Sequence, residues 1–371
     1  MHTNKLLVYY HDQLVGTLAL SKEQKIYFQY DQQWLQNGFS ISPFSLPLTN
    51  ELFTCKKPHF DGLFGVFADS LPDAWGNILL NRLLRKHNLQ ANEINILDRL
   101  AIIGNSGMGA LRYQPELLPM NTYTEVDLDT IANECRLILT SEYNDDIDTL
   151  FQLGGSSGGA RPKILTTINN EPWMIKFPSH VDSENIGEME YDYYTCALEC
   201  KINMSSSKLF PSNKTSGYFG TKRFDRNNHQ RIHMISAAAL LEVDFRQPCL
   251  DYNDLMKLTK IVTRNNSSDI EQMFRIMCFN VFAHNRDDHA KNFSYLYDET
   301  IKRWRLSPAY DMTYSTTYYG EHTTSVNGNG NNPSKSDLLQ VGLKAGISKS
   351  NCTQIIDEIE TIVHKYLNKY L

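Results

Sequence analysis

The stretch Phe279–Tyr297, "FNVFAHNRDDHAKNFSYLY", decides how the chain is read. Between His284 and Asn292 it carries two His, two Asp and two Asn in nine positions. On its N-terminal side Ile270, Met273, Phe274, Met277, Cys278, Val281 and Phe282 recur at helical spacing, which predicts a buried amphipathic helix. On its C-terminal side "FSYLYDETIKRWRLSPAYDM" predicts a β-hairpin that ends in an Asp. A loop this polar between two apolar elements could bind a metal, transfer a group, or only cap and solvate a helix end.

His284, Asp287, Asp288 and His289 make a fair metal-ligand set. A metal-dependent phosphohydrolase, however, needs further His ligands on separate helices, and the sequence holds no second cluster of that kind. A third reading uses Asp287 and Asn292, spaced D-x4-N. Phosphoryl transfer to a hydroxyl needs a carboxylate that orients the hydroxyl and accepts its proton. It also needs an amide oxygen and a second carboxylate to hold Mg2+ against the nucleotide phosphates. Asp311 follows Asn292 by nineteen residues, beyond the predicted hairpin, and can supply that carboxylate. D-x4-N alone is a weak signal; followed by a hairpin and an Asp in a turn it is much stronger.

Such chemistry also requires a phosphate clamp and a cation. "GGSSGGARPK", ending at Lys163, is neither a Walker A loop nor a GxGxxG motif. Its four Gly still let backbone N–H groups approach phosphate oxygens closely. A strand at Lys163–Ile168, an Asn-Asn-Glu turn and a second strand at Trp173–Phe177 are predicted next. Lys176, on the second strand, stands where a kinase lysine would pair the α- and β-phosphates. Glu188 or Glu190, on the predicted helix "IGEMEYDYYTCALECKIN", could partner it. Singly, the Gly-rich stretch also reads as a flexible hairpin loop and Lys176 as a snorkelling surface lysine. In series, Gly loop, strand Lys, helix Glu, helical lobe, D-x4-N, hairpin and Asp follow the layout of a bilobal kinase.

The rest of the chain constrains this reading. Its 371 residues, 41% apolar and 21% charged, suit two packed cores, or one with a satellite. A net charge of −6 argues against a broad basic nucleic-acid surface. No apolar run reaches about 18 residues, and the N-terminus lacks signal-peptide anatomy, so no membrane span or export is expected. Seven scattered Cys without zinc spacing suggest reduced thiols in a cytoplasmic protein. "KLLVYYHDQLVGTLAL" predicts two strands around a turn at His11–Gln13, and "QKIYFQYDQQWL" continues the β pattern. In "DSLPDAWGNILLNRLLRKHNL" the period becomes helical, with Trp75, Ile78, Leu79, Leu83 and Leu84 on one face and Asp69 or Ser70 as cap. "LPMNTYTEVDLD" predicts a linker to a short helix around Leu128–Thr140.

The motifs "GGSSGGARPK", "WMIKFP", "TKRFDR", "HNRDDHAKN" and "LSPAYDM" together resemble the HipA family of serine/threonine kinases, the toxins of bacterial type II toxin–antitoxin modules. "LVGTLAL", "LPDAWGNILLNRLL" and "GNSGMGALRYQP" resemble the family's N-terminal subdomain, so the likeness spans nearly the whole chain. The resemblance implies an α+β, bilobal kinase-like fold: a β-rich N-terminal lobe with an extra N-terminal subdomain, and a mainly helical C-terminal lobe. It divides the chain into 1–115, the subdomain; 116–226, the lobe with Gly-rich loop and hinge; and 227–371, the lobe with the catalytic loop. It implies ATP and Mg2+ as cofactors, with Asp287 as catalytic carboxylate and Asn292 and Asp311 on the metal. Lys176 would hold ATP phosphates. Lys163 and the backbone of Ser157, Gly158, Gly159 and Ala160 would line the phosphate loop, and Arg223, Phe224 and Asp225 the adenine-side hinge. Self-silencing by phosphorylation in the Gly-rich loop would fall on Ser156 or its neighbour Ser157, where added negative charge repels ATP.

The implied partners are a HipB-like helix-turn-helix antitoxin and a protein substrate such as an aminoacyl-tRNA synthetase, with operator DNA reached only through the antitoxin. Ala74, where the family often has Gly, the "GGARPK" loop and "HMISAAALL" depart from the best-known members and leave the substrate open. A small-molecule or lipid kinase shares D-x4-N and is an alternative. So is a non-enzymatic, antitoxin-binding pseudokinase, although Lys176, Asp287, Asn292 and Asp311 are all retained.

Overall fold

The computed structural model describes residues 3–57, 59–118, 127–140, 147–227, 230–317 and 319–371. The expected linker at 118–129 lies mostly outside them. The chain divides into two compact units. One comprises Met1–Gly187, Lys208–Ile235 and Ala239–Glu242; the other comprises Glu188–Ser207, Ser236–Ala238 and Val243–Leu371.

The first unit opens with strands Lys5–Tyr10 and Gln13–Leu20, joined at His11–Asp12. Alternation places Leu6, Val8 and Tyr10 on the buried face. Strands Ile26–Tyr30, Phe53–Thr54 and Leu111–Gln114 complete a five-stranded antiparallel sheet, with Lys5–Tyr10 beside Leu111–Gln114. The β pattern expected through Leu35 stops at Tyr30. Asp31 accepts the Gln33 N–H at 2.8 Å and starts the helix Gln32–Asn37 instead, which buries Trp34.

The helix predicted from its period is Ala74–Lys86, and it buries Trp75, Leu79, Leu80, Leu83 and Leu84. Its N-cap is Asp73, neither Asp69 nor Ser70. Pro72 disfavours helical backbone at Leu71, so the helix cannot run through from those residues. Asp69 instead closes the short helix Gly65–Ala68. Ile78 faces outward, with Leu80 taking its place in the core. That core continues through Ile164, Trp173, Ile175 and Phe177 of a second sheet. The second sheet runs in the order Lys163–Ile168, Glu171–Lys176, Tyr218–Lys222, Ser207–Phe210. Asn169 and Asn170 both have positive φ, 53° and 61°, as a two-residue hairpin turn requires. This turn fixes the register that sets Lys163 opposite Lys176.

The second unit is built on helices Tyr252–Val262, Ser267–Phe282, Lys335–Ala345 and Lys349–Leu367. The predicted apolar stripe lies on Ser267–Phe282, which Asn266 starts by accepting the Asp269 N–H at 3.0 Å. The predicted hairpin pairs Ser294–Asp298 with Arg303–Leu306. Among the described residues no helix is long and apolar enough to cross a membrane. All seven cysteines are free thiols.

Two consequences are testable. A Cβ at Gly76 would lie 2.5 Å from Pro72 Cβ and 2.7 Å from the Gly155 carbonyl oxygen. Gly76→Ala is therefore expected to destabilise by about 1–3 kcal/mol in urea unfolding, despite Ala's higher helix propensity. His233 is fully buried, with Nε2 2.9 Å from the Ile41 oxygen, and burial pushes its pKa down from 6.5 to about 4. The unfolded chain therefore binds this proton more readily than the folded one. The His233 contribution is fully present above about pH 6.5 and is lost as pH falls toward 4, on the order of 3 kcal/mol. His233→Gln should flatten that part of the stability–pH curve relative to the unmodified chain.

Candidate active site

The polar loop after Ser267–Phe282 is organised from its backbone upward. The helix ends at Phe282, and His284 turns the chain with φ 51°. Tyr193 donates its hydroxyl to the Ala283 carbonyl at 2.8 Å. The Asn285 side chain donates to Asn280 Oδ1 at 2.9 Å, and Asn280 Nδ2 donates to the Tyr252 hydroxyl at 2.9 Å. Tyr252 in turn donates to Asp288 Oδ2 at 2.9 Å. His322 Nδ1 lies 3.0 Å from the same oxygen, and the Thr324 N–H donates to Asp288 Oδ1 at 3.0 Å. Thr324 Oγ1 donates to the Asp288 carbonyl at 2.5 Å. Every member of this chain is buried.

The network separates the two adjacent acids. Asp288 is 1% exposed, and both of its carboxylate oxygens are engaged. It holds the loop. Burial beside its carboxylate pushes the Tyr252 hydroxyl pKa well up. Asp287 has a side chain 58% exposed, with His289 Nε2 at 4.0 Å from its Oδ1. A carboxylate that must take a proton from a substrate hydroxyl has to be reachable, and of the pair only Asp287 is.

Asn292 ends the short 3-10 turn Ala290–Asn292, and its Nδ2 donates to the Asp287 carbonyl at 2.7 Å. That bond fixes the amide and leaves Oδ1 as its acceptor. Tyr310 donates to the Lys291 carbonyl at 2.7 Å and meets Ser294 Oγ at 2.6 Å, tying the loop to the segment that carries Asp311. Asp311 adopts φ 56°, a left-handed conformation uncommon for residues other than Gly, Asn and Asp. A small cleft opens beside Asn285, Asn292, Ser307 and Tyr310. Among the described residues no three His, Cys, Asp or Glu side chains are grouped to hold a metal ion. Asn292 and Asp311 offer hard oxygen donors, a set that suits Mg2+ completed by water and phosphate oxygens.

In the first unit, Lys163 and Lys176 face each other across adjacent strands, Lys163 buried and Lys176 half-buried. The Gly-rich segment before them does not project as a free loop. Ser156 donates its hydroxyl to the Ser106 carbonyl at 2.9 Å, and Ser157 to the Gly154 carbonyl at 2.6 Å. Both serines are buried, at 4% and 0% exposure. Gly159 has φ +85°, and a Cβ there would lie 2.6 Å from Lys163 Nζ, so the ammonium lies against this glycine. Arg161 grips Asp182 through Nε and Nη2 at 3.0 Å each, and this pairing helps hold the Asp182 carboxyl below the usual range against its burial.

The side chains of Arg223 and Asp225 turn toward each other. Asp225 accepts two bonds from Arg223 at 2.9 and 2.8 Å, one from Arg226 at 2.7 Å and the Gly109 N–H at 2.8 Å. Burial raises its pKa, but the surrounding guanidiniums win and hold the carboxyl far below the usual range. Burial, with Arg223 alongside, pushes Arg226 down to about 8. Arg226 and Arg231 clasp the turn at Gly107–Gly109 through its carbonyls, and Phe224 lies in the chain between Arg223 and Asp225. Of the two candidate helix acids, Glu190 is buried at 4% and Glu188 exposed.

Tyr252, Asn280, His322 and Thr324 were not singled out in the sequence. Asn280 alone left a trace, as an amide within an apolar helical run.

A β-rich unit with a Gly-rich segment ahead of paired strand lysines, and a helical unit with an Asp–Asn loop, a hairpin and a following Asp, define an α+β, bilobal kinase-like fold. The model of the HipA-like C-terminal domain matches residues 155–366, and that of the HipA N-terminal domain residues 6–114. The chain belongs to the HipA family. It is 25% identical over 353 residues to the Sinorhizobium fredii protein described as "Putative kinase Y4mE", covering 86% of this chain and 79% of that protein. A second Sinorhizobium fredii protein, "Putative kinase Y4dM", is 26% identical over 212 residues, covering 52% of this chain and 50% of that one. In structure the chain is similar to one in the complex of Shewanella oneidensis MR-1 HipA, HipB and operator DNA. There the TM-score is 0.75 at 16% identity, over 98% of this chain and 90% of that one.

The buried network makes its own prediction. Tyr252→Phe leaves buried Asn280 Nδ2 and a buried Asp288 oxygen each short of one partner. A loss of about 1–3 kcal/mol in denaturant unfolding is expected, more than a surface Tyr→Phe change would give.

Proposed function

We propose that the chain is a Mg2+- and ATP-dependent protein serine/threonine kinase that acts as the growth-inhibiting toxin of a toxin–antitoxin pair. The observation that carries the reading is the register of Lys163 against Lys176. Directly opposite residues of antiparallel strands put both side chains on one face of the sheet, where two ammonium groups can contact one anion. Beside a Gly-rich segment, the anion of matching chemistry is a polyphosphate. Family membership and the kinase descriptions of the two Sinorhizobium relatives support the same reading. Within it, residues 1–115 form the N-terminal subdomain, 116–226 the ATP-binding lobe with Arg223, Phe224 and Asp225 as hinge, and 227–371 the catalytic lobe.

In this reading a substrate Ser or Thr hydroxyl hydrogen-bonds to Asp287. Its oxygen forms a bond to the γ-phosphorus, the bond from that phosphorus to the ADP oxygen breaks, and the hydroxyl proton passes to Asp287. Lys163 and Lys176 neutralise charge on the phosphates. Asn292 and Asp311 would hold Mg2+, which when bound offsets the negative charge of the β- and γ-phosphate oxygens. The buried Asp288 network keeps Asp287 and Asn292 in fixed relation. Ser156 and Ser157 are the candidate sites of self-silencing, and an aminoacyl-tRNA synthetase is a candidate substrate. A HipB-like antitoxin is the expected partner, as in the Shewanella complex, which also carries operator DNA. The expected location is the cytoplasm.

The test is incubation of the full chain with labelled ATP and Mg2+, after intact-mass measurement to detect phosphate already present. Label on Ser156, Ser157 or an added protein is expected, and Asp287→Asn should lower it at least about a hundredfold. Equal labelling by Asp287→Asn would refute the assignment of the base. Toxicity of Asp287→Gln equal to that of the unmodified chain would favour a non-enzymatic role. Label confined to small molecules or lipid would favour that class of kinase instead.

A further inference from the structure

Asp287 has two neighbours in the chain, and both are held by one distant stretch, residues 322–324. The Thr323 N–H donates to the Arg286 carbonyl at 2.9 Å, and Thr323 Oγ1 donates to the same oxygen at 3.1 Å. Thr324 donates its N–H to Asp288 Oδ1 at 3.0 Å and its hydroxyl to the Asp288 carbonyl at 2.5 Å. His322 Nδ1 lies 3.0 Å from Asp288 Oδ2, across 34 residues of sequence. Against a carboxylate, which only accepts, Nδ1 is the donor. The carbonyl of Asp287 itself accepts the Asn292 amide at 2.7 Å. Three successive carbonyls, those of Arg286, Asp287 and Asp288, are therefore each engaged.

The gripping stretch has its own anchorage. Thr324 and Ser325 pair in parallel with Leu250 and Asp251. Asp251 Oδ2 accepts the Ser325 hydroxyl and the Gly328 N–H, both at 2.7 Å. The His322 N–H donates to the Gly330 carbonyl at 2.8 Å. Asp251 also caps the Tyr252–Val262 helix, whose first residue is the Tyr252 that bonds Asp288. The side chains of His322 and Asp288 are 2% and 0% exposed, so water does not compete for the bond between them. A general base works only within hydrogen-bond reach of the proton it takes, and a misplacement of about 1 Å costs on the order of a hundredfold in rate. Much of the Asp287 side chain is exposed, so its direction rests on the backbone that carries it.

We propose that residues 322–324 form a positioning clamp for the catalytic acid, and that His322 is the positioning residue that aims Asp287 by holding Asp288. This rests on the reading of Asp287 as the base of a kinase. His322 touches neither substrate nor nucleotide in this role. It raises the rate of transfer without adding to the affinity for ATP, whose phosphates meet the lysines of the first unit.

The test uses the full chain with His322→Leu, which removes the donor, and His322→Asn, whose side-chain amide can place an N–H where Nδ1 stands. Each is made alone and together with Asp287→Asn. Single-turnover transfer of label at saturating ATP should slow roughly tenfold to a hundredfold in His322→Leu, with the Kd for ATP within about twofold. His322→Asn should recover most of that rate. In the Asp287→Asn background His322→Leu should add less than about twofold, because the group it aims is already gone. Thr323→Val, which deletes the hydroxyl bond to Arg286 and keeps the N–H, should follow the same pattern with a loss of about two- to fivefold. It carries the test if His322→Leu does not fold. No loss at all, a loss shared equally by rate and ATP affinity, or an undiminished loss in the Asp287→Asn background overturns the proposal; a purely structural residue would lower both backgrounds alike. Without nucleotide, amide exchange over residues 284–292 should speed up in His322→Leu while the Ser267–Phe282 helix keeps its protection, and unchanged exchange also overturns the clamp. If the unmodified chain neither binds ATP nor transfers label, the kinase reading itself fails, and the exchange result then decides the clamp on its own.

Discussion

The buried carboxylate of Asp288 is the constraint on which the second unit's polar loop depends. A carboxylate removed from water is stable only when its oxygens are fully engaged. Tyr252, His322 and Thr324 do this from separate parts of the unit, and Asn280 and Asn285 extend the chain of bonds back into the Ser267–Phe282 helix. Burying one acid fixes the backbone that carries the next. Asp287 is then presented at the surface, and Asn292 closes on its carbonyl. The unit thus spends its low-dielectric polar bonds on positioning and leaves the reachable acid outside them.

The first unit solves the opposite problem, the placing of excess positive charge. The Asn169–Asn170 turn forces Lys163 to stand across from Lys176. Elsewhere in the unit, Arg223 and Arg226 converge on the single carboxylate of Asp225, which also accepts the Gly109 N–H. The second cluster is saturated by its own carboxylate and by main-chain carbonyls, so it serves to clasp the Gly107–Gly109 turn. The lysine pair has a different neighbour, a glycine-rich segment whose backbone can come close to an anion. The proposed chemistry rests on the lysines because Lys163 lies against that segment.

Much of the architecture was legible. The hairpin around Asn169–Asn170, the Ala74–Lys86 helix and the Ser267–Phe282 stripe follow from period and turn chemistry, which act over a few residues. Local competition explains the departures. Asp31 diverts a β pattern into a short helix, Pro72 moves a helix start to Asp73, and Ile78 gives its core place to Leu80. Asp225, beside Arg223, accepts the N–H of Gly109, more than a hundred residues away, a contact that local spacing could not show.

The sequence by itself determined which residue types stand in which order: the glycines before Lys163, the spacing of Asp287 and Asn292, and Asp311 after a hairpin. Order along the chain suffices for that, because the family's motifs are short and local. Only the tertiary structure decided which of two adjacent acids is buried, that Ser156 and Ser157 lie tucked away, and that His322 reaches Asp288. Those outcomes depend on groups distant in sequence meeting where water is excluded. There each polar atom must find a partner, and local spacing carries no information about which partner that is.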